Sequence, residues 1–332
     1  MKAVLAATGL TAAGGAAFLA PMLRGDTRHL VEDAFANEIS DFTSEYGQLR
    51  ASFYAVSDTH VSLDIPEYTD RLANMFDDIV SSGAAFDTIV VNGDITNGGL
   101  EEQYALFAET AQAAGFSYPS DFTLVMGNHE QSPYTEGDAE EYAQLRRTFI
   151  EQTQVSGLYY DFYLNGCHII VLGPDEDPEG SWVSVRISDE QLAWLDGLLA
   201  ADEAADVPSY VFMHEPLLNT VRDTSEGQWG YENSIENDAE VAAVLQAYAN
   251  AVVFSGHTHS YPDIVRPSDE GPLYVGTGSV SYQVALEEDV SSEKAYDSMG
   301  WFVRVYDGCV QFELRDFLAH AWVEDAGFIY EL

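Results

Sequence analysis

The chain reads as a single α/β domain built on a parallel sheet with helical crossovers, and three features of the sequence predict that class. Apolar, strand-like runs alternate with stretches of helical period through the first half of the chain. Each early run stops at a short polar segment containing Asp, Asn or His. No internal repeat, low-complexity stretch or linker divides the part of the chain that follows residue 50.

The first run, Ala51-Ser52-Phe53-Tyr54-Ala55-Val56, ends at Ser57-Asp58-Thr59-His60. Pro66 then opens a helix with apolar positions Leu72, Met75, Phe76, Ile79 and Val80, ended near Gly83. A second strand over 88–91 stops at Asn92-Gly93-Asp94, and 100–114 is helical, with Glu101 and Glu102 suited to its positive end. The third strand, 122–126, closes on Gly127-Asn128-His129-Glu130. This βαβαβ order puts all three strand ends on one edge. A helix over 140–153 follows. The strands 158–164 and 167–172 are then joined by Asn165-Gly166, a strong hairpin signal. A helix from Ser188 leads to a strand over 209–213 ending at His214, and a helix over 238–249 to a strand over 251–254 ending at Gly256-His257-Thr258-His259. The remainder, including 273–275, 301–306 and 309–315, reads as antiparallel.

An apolar content of 46% with 19 Tyr and 17 Phe is that of a globular chain with a large core. Against 56 acidic residues stand 13 basic ones, with Lys2 and Lys294 the only lysines. That balance excludes binding to a nucleic-acid backbone, which requires clustered Lys and Arg. It implies instead a heavily hydrated surface that repels itself at low ionic strength, as in a salty or exported setting. Residues 3–23 carry no charge and lie between Lys2 and Arg24, the pattern of an export signal. Residues 1–36 are therefore expected to be an export signal, with Ala34-Phe35-Ala36 as a cleavage site, or else a membrane anchor. A helix retained in a cytosolic protein is the plainer alternative. Residues 37–50 are expected to be a linker, and 51–332 the folded domain. Membrane contact is expected only through the N-terminal segment, if it is not cleaved. Cys167 and Cys309 sit in apolar runs and are expected as two buried thiols.

The strand ends carry the chemistry. Along an extended chain, residues i and i+2 point the same way, roughly 6.5–7 Å apart. Asp58 and His60 can thus face one site, as can His257 and His259. Imidazole and carboxylate together suit zinc, iron or manganese. A paired-metal centre needs a carboxylate shared between its ions, and Asp94 is placed for that role. Five of the eight histidines fall in this pattern; His29, His168 and His320 do not and read as structural.

The ordered set Asp58-Thr59-His60, Gly93-Asp94, Gly127-Asn128-His129-Glu130, His214 and Gly256-His257-Thr258-His259 resembles the calcineurin-like metallophosphoesterase superfamily over about residues 51–260. The resemblance implies a four-layer α/β/β/α sandwich of two mixed sheets flanked by helices. It implies two divalent or trivalent transition-metal ions (Mn, Fe or Zn), one on Asp58, His60, Asp94 and His259, the other on Asp94, Asn128, His214 and His257. His129 is similar to the family's histidine that binds no metal and protonates the leaving oxygen or steadies the phosphoryl group. The activity implied is hydrolysis of a phosphate ester, with two cations polarising the phosphate oxygens and acidifying a water. Many relatives carry Asp three residues after the shared Asp, where it supports the catalytic histidine, and protein phosphatases follow it with Arg. Here those positions hold Asn97 and Gly98, which argues against a Ser/Thr protein phosphatase. Tyr is also absent from the position where purple acid phosphatases carry their coloured iron ligand.

Substrate choice is expected to sit in loops. Arg222, Trp229 and Tyr231 can clamp a phosphate and stack on a ring, or Trp229 and Tyr231 can simply pack their loop down; 279–298 is a second candidate wall. A small organic phosphomonoester or phosphodiester, or a nucleotide, is the expected substrate. Two rivals stand beside this: a catalytically silent metal-binding envelope protein of the same fold, and a mononuclear zinc hydrolase acting on amides. If the acidic surface is an adaptation to salt, the melting temperature rises by several degrees from low to molar NaCl. A melting temperature that is flat across that range contradicts it.

Overall fold

A computed structural model of the chain describes residues 42–131, 138–179, 183–228, 234–268, 270–283 and 297–332. The expected leader, Trp229 and Tyr231 lie outside the described residues. Strands β1 (Leu49–Val56), β2 (Thr88–Asn92) and β3 (Phe122–Val125) run parallel, joined by helices α1 (Pro66–Ser82) and α2 (Glu101–Ala113). The short α3 (Asn128–Gln131) and longer α4 (Ala139–Thr153) follow. Next come the hairpin β4 (Tyr160–Leu164) and β5 (Cys167–Val171), then α5 (Asp189–Ala205), β6 (Ser209–Phe212), α6 (Asp238–Leu245) and β7 (Ala251–Ser255). The chain then forms β8 (Asp263–Val265), β9 (Leu273–Gly276), β10 (Met299–Tyr306), β11 (Cys309–Asp316), β12 (Ala321–Trp322) and β13 (Phe328–Glu331).

These strands make two mixed sheets, ordered β12-β11-β10-β1-β2-β3 with β13 on β11, and β4-β5-β6-β7-β9-β8. One expectation is corrected here. The 273–275 run is not antiparallel to its main neighbour: β9 lies parallel to β7, and only its other edge takes an antiparallel partner, β8. The loop between β7 and β9 is long enough to cross back, and the short β8 within it is too brief to read from sequence.

Alternation along β1 shows why four layers form. Phe53 and Ala55 point between the sheets, where Phe53 meets Phe212 and Phe254 edge-on at 5.8 and 5.9 Å. Tyr54 and Val56 point the other way, into a second core with Leu72, Met75 and Phe76 of α1 and Phe107 of α2. A third core packs Leu195 and Leu199 of α5 and Val241 and Leu245 of α6 on the outer face of the second sheet. Gly83, at φ 70°, ends α1 in the left-handed turn that glycine adopts without strain. Asp138 caps α4 by accepting from the amides of Glu140 and Glu141. Asn165 and Gly166, at φ 51° and 96°, form the hairpin turn. Cys167 and Cys309 are buried and unbonded, as expected.

The inter-sheet aromatic cluster holds the two parallel sets of strand ends level with each other. Phe53→Ala should cost about 3–5 kcal/mol of stability, read by urea denaturation. A loss under about 1 kcal/mol would mean the sheets are held together elsewhere.

Candidate metal centre

Asp58 and His60 follow β1, Asp94 follows β2, and Asn128 opens α3 just beyond β3. His214 follows β6, and His257 and His259 follow β7. Because the strands of each set are parallel, all these residues arrive at one edge. Backbone bonds lock the loops together: Asp58 N donates to Gly93 O (3.1 Å), His60 N to Asp94 O (2.9 Å) and Gly256 N to His214 O (2.9 Å). His257 N donates to Asp58 Oδ2 across the two sheets (3.2 Å).

The donor atoms fall into two groups that share Asp94. Those of Asp58, His60, Asp94 and His259 lie within 4.8 Å of one another, as do those of Asp94, His214 and His257. Asn128 Oδ1 lies 3.0 Å from His257 Nδ1, which adds it to the second group. All seven residues are buried.

The route by which the pairs converge differs from the extended-chain expectation. Asp58, His60, Asp94, His257 and His259 have φ of 56°, 45°, 49°, 66° and 51°. None is extended. The left-handed backbone turns Asp58 and His60 inward until Oδ1 and Nε2 are 3.7 Å apart. For residues with a Cβ this conformation costs on the order of 1–3 kcal/mol each, so the interlocked loops have to over-determine it. The motif glycines are bare for the same reason. A Cβ on Gly127 would lie 2.3 Å from Asp94 Oδ1, and one on Gly93 would lie 2.3 Å from the His214 ring.

The donor set fits cations, and the hydrogen bonds on the far side of two rings say why. His214 Nδ1 meets the Asn92 carbonyl at 2.7 Å, and His259 Nδ1 meets the Tyr282 carbonyl at 2.8 Å. A carbonyl only accepts, so both Nδ1 atoms carry hydrogen and the neutral rings present a bare Nε2 lone pair inward. Those lone pairs face carboxylate oxygens, at 3.1 Å (His214 to Asp94) and 3.0 Å (His259 to Asp58). Bare nitrogen against carboxylate repels unless a positive charge, proton or metal, sits between them. Without metal a proton on His214 fills that role beside Asp94. Burial disfavours the His214 cation, but the adjoining Asp94 and Asp58 carboxylates outweigh it and hold its pKa well above the usual range. Burial would raise both aspartates, yet His259 and His214 hold Asp58, and His214 and His129 hold Asp94, below the carboxylate range. Burial, then His129, depresses His60 to about 4; burial, then His214, depresses His257 to about 3. The mixture of imidazole nitrogen with carboxylate and amide oxygen suits zinc, iron or manganese.

His129 lies outside the donor groups at the mouth, its side chain 21% exposed, with Nε2 3.9 Å from Asp94 Oδ2. Its Nδ1 meets the Asn97 backbone carbonyl at 3.1 Å. At the position where the resemblance has a supporting Asp side chain, the ring is thus held by the main chain of Asn97. Arg222 stands apart, its guanidinium 5.9 Å from the Tyr261 ring and not among the residues lining the cavity over the donors. Two supporting residues were not singled out from sequence. Glu130 accepts from Thr96 N (2.7 Å), Thr96 Oγ1 (2.9 Å) and Gly127 N (3.0 Å), tying the loop after β2 to the loop after β3. Burial, then the Asp94 charge, raises its carboxyl to about 8. Tyr282 packs against His259 with the rings tilted by 35° and 4.1 Å between centroids. The place of Glu130 beside Gly127-Asn128-His129 was the available signal for it, and Tyr282 falls within 279–298, the second candidate wall. His168 and His320 are structural as expected, His168 between Asp202 (2.6 Å) and Asp161 (3.2 Å), and His320 on Asp78 (2.8 Å).

Gly127→Ala should abolish metal uptake, because the new methyl group and Asp94 cannot occupy the same space, while far-UV circular dichroism stays native. Full metal content in a folded variant would contradict this. Metal has to displace the His214 proton, so affinity should strengthen as pH rises from 6 to 8, read by calorimetric titration; a pH-independent affinity would contradict the electrostatic account.

Comparison with known proteins agrees with this geometry. Residues 51–261 match the family model of the calcineurin-like phosphoesterases. A probable cyclic nucleotide phosphodiesterase of Rhodococcus erythropolis is 24% identical, over 85% of this chain and 88% of that one. Probable purple acid phosphatase 20 of Arabidopsis thaliana is 26% identical over 58% of this chain, a match that spans 45% of the plant protein's length. In fold, the chain is similar to a dimetal phosphatase from Danio rerio, with TM-score 0.58, 14% identity, and coverage of 86% of this chain and 99% of that one. The yellow lupin purple acid phosphatase PPD1 also gives TM-score 0.58, at 14% identity over 85% of this chain and 53% of its own. The chain belongs to the calcineurin-like phosphoesterase family.

Proposed function

We propose that the protein is a dinuclear metal-dependent hydrolase of small phosphate esters. The observation that carries this is Asp94, whose carboxylate belongs to both donor groups and so suits two ions held close together. One ion would take Asp58, His60, Asp94 and His259, and the other Asp94, Asn128, His214 and His257. When bound, such a pair supplies Lewis acidity toward phosphate oxygens and lowers the pKa of water. One relative matched over most of both chains is named as a probable cyclic nucleotide phosphodiesterase, so diester cleavage is the first activity to test. Nucleotides and small organic phosphates are both within this reading.

The chain's own part in the chemistry falls to His129. Its Nδ1 is held by the Asn97 carbonyl, and its amide donates to Asp94 Oδ1 at 3.0 Å, which fixes the ring beside the shared carboxylate. Nε2 is then the ring atom that would carry a proton toward a leaving alkoxide at the mouth. A carbonyl orients the ring without adding the charge that an aspartate would.

Export is a separate part of the proposal and rests on the uncharged run 3–23 between Lys2 and Arg24. Among the described residues no helix is long and apolar enough to cross a membrane. Fractionation of expressing cells tests it: the protein is expected outside the cytosol, and a full-length cytosolic product ends the idea.

Protein reconstituted separately with manganese, zinc and iron should hydrolyse p-nitrophenyl phosphate, its bis-ester, or both. Silence on both with two ions loaded would favour a non-catalytic metal-binding protein of this fold. His129→Ala should lower kcat by about 10²–10⁴-fold with metal content unchanged. Loss of metal in that variant would make His129 a ligand instead.

A further inference from the structure

Exposed apolar side chains stand on the loops that follow His60 and Asn97, in an otherwise strongly acidic chain. Leu63 and Leu100 are 53% and 49% exposed, two of six large hydrophobic side chains so exposed among the described residues. Leu63 lies three residues beyond His60, and Leu100 three beyond Asn97, whose carbonyl holds His129. Their loops run side by side: Val61 N donates to Ile95 O at 3.0 Å and Asn97 N to Val61 O at 2.9 Å.

Aromatic rings continue this border. Tyr282 packs on His259 at 4.1 Å, and Tyr68, in the first turn of α1, stacks on Tyr282 at 5.3 Å with 26° between planes. Tyr68 also lies 6.2 Å from the His60 ring. Both tyrosines are only half-buried. A donation from Arg71 Nη1 to Ser281 O ties α1 to the segment that carries Tyr282, so the rings stand on braced elements. The series His259, Tyr282, Tyr68 therefore leads outward from the donor atoms to solvent. Tyr282 and Val183 also line the small cavity over Asp94, Asn128 and His129.

A phosphoryl group requires polar partners and is served by the metal donors and His129. None of its chemistry needs two exposed leucines and a stack of tyrosines beside them. An aromatic ring on the alcohol side of an ester would gain from both, by stacking on Tyr68 and by covering apolar surface. We propose that the protein selects phosphate esters whose alcohol carries an aromatic ring, with Tyr68 as the outer stacking face and Leu63 beside it. This rests on the phosphoesterase reading above.

The test uses metal-loaded full chain and esters whose leaving alcohols have similar acidity: 2-phenylethyl phosphate and propyl phosphate, each also as its methyl diester. The phenylethyl ester should be favoured in kcat/KM by about five- to tenfold. Tyr68→Ala should bring that ratio close to one, Leu63→Ser should reduce it, and Tyr68→Phe should preserve it. The Kd values of 2-phenylethylphosphonate and propylphosphonate, read by calorimetry, should show the same preference and the same response. A ratio near one in the wild-type protein, or one untouched by Tyr68→Ala and Leu63→Ser, would overturn the proposal. If no ester is hydrolysed the phosphoesterase reading falls, and the phosphonate ratio still decides whether the aromatic subsite exists.

Discussion

Everything at the functional edge depends on two buried carboxylates facing imidazole nitrogens that are turned toward them as lone pairs. Asp58 and Asp94 are almost completely buried, and His214 and His259 approach them with Nε2 while Nδ1 is held by main-chain carbonyls. Such an arrangement is unfavourable without positive charge at its centre. In the metal-free protein a proton on His214 supplies it beside Asp94. A pair of cations would satisfy the same field. The site is a charge deficit built into the fold, and the rest of the structure keeps it from relaxing.

That resistance comes from the architecture. Five donor residues hold left-handed backbone, an arrangement that a loop on its own would escape. They are kept there by main-chain bonds between the loops after β1 and β2, by His257 N on Asp58, and by Glu130 bridging the loops after β2 and β3. The loops in turn are level because Phe53, Phe212 and Phe254 lock the two sheets face to face. The glycines of the motifs complete the account, since Gly127 and Gly93 leave the volume that Asp94 and His214 fill. Packing between the sheets and chemistry at their edge are thus one constraint, read at different distances.

Much of this was legible in the sequence, for physical reasons. Strands ending in Asp, Asn or His with helical crossovers between them can only bring those ends to a common edge, so the donor residues could be named without coordinates. The hairpin at Asn165-Gly166 and the stop at Gly83 were readable because few residues tolerate the backbone they require. Other features were not readable. The convergence of Asp58 with His60 was expected from extended geometry and arises from left-handed turns, which residue spacing does not report. The parallel pairing of β9 with β7 depends on a crossover whose direction a short apolar run does not encode. Tyr68 and Tyr282 are far apart in the chain and carry no motif, so their stacking beside His60 and His259 is a product of the fold alone. The role of Asn97 passes to its carbonyl, which every residue possesses.

Anomalous diffraction from crystals of the metal-loaded protein tests the central claim most directly. The account predicts two peaks, one among Asp58, His60 and His259 and one among Asn128, His214 and His257, with the Asp94 carboxylate touching both. A single peak, or two peaks without Asp94 between them, would contradict it.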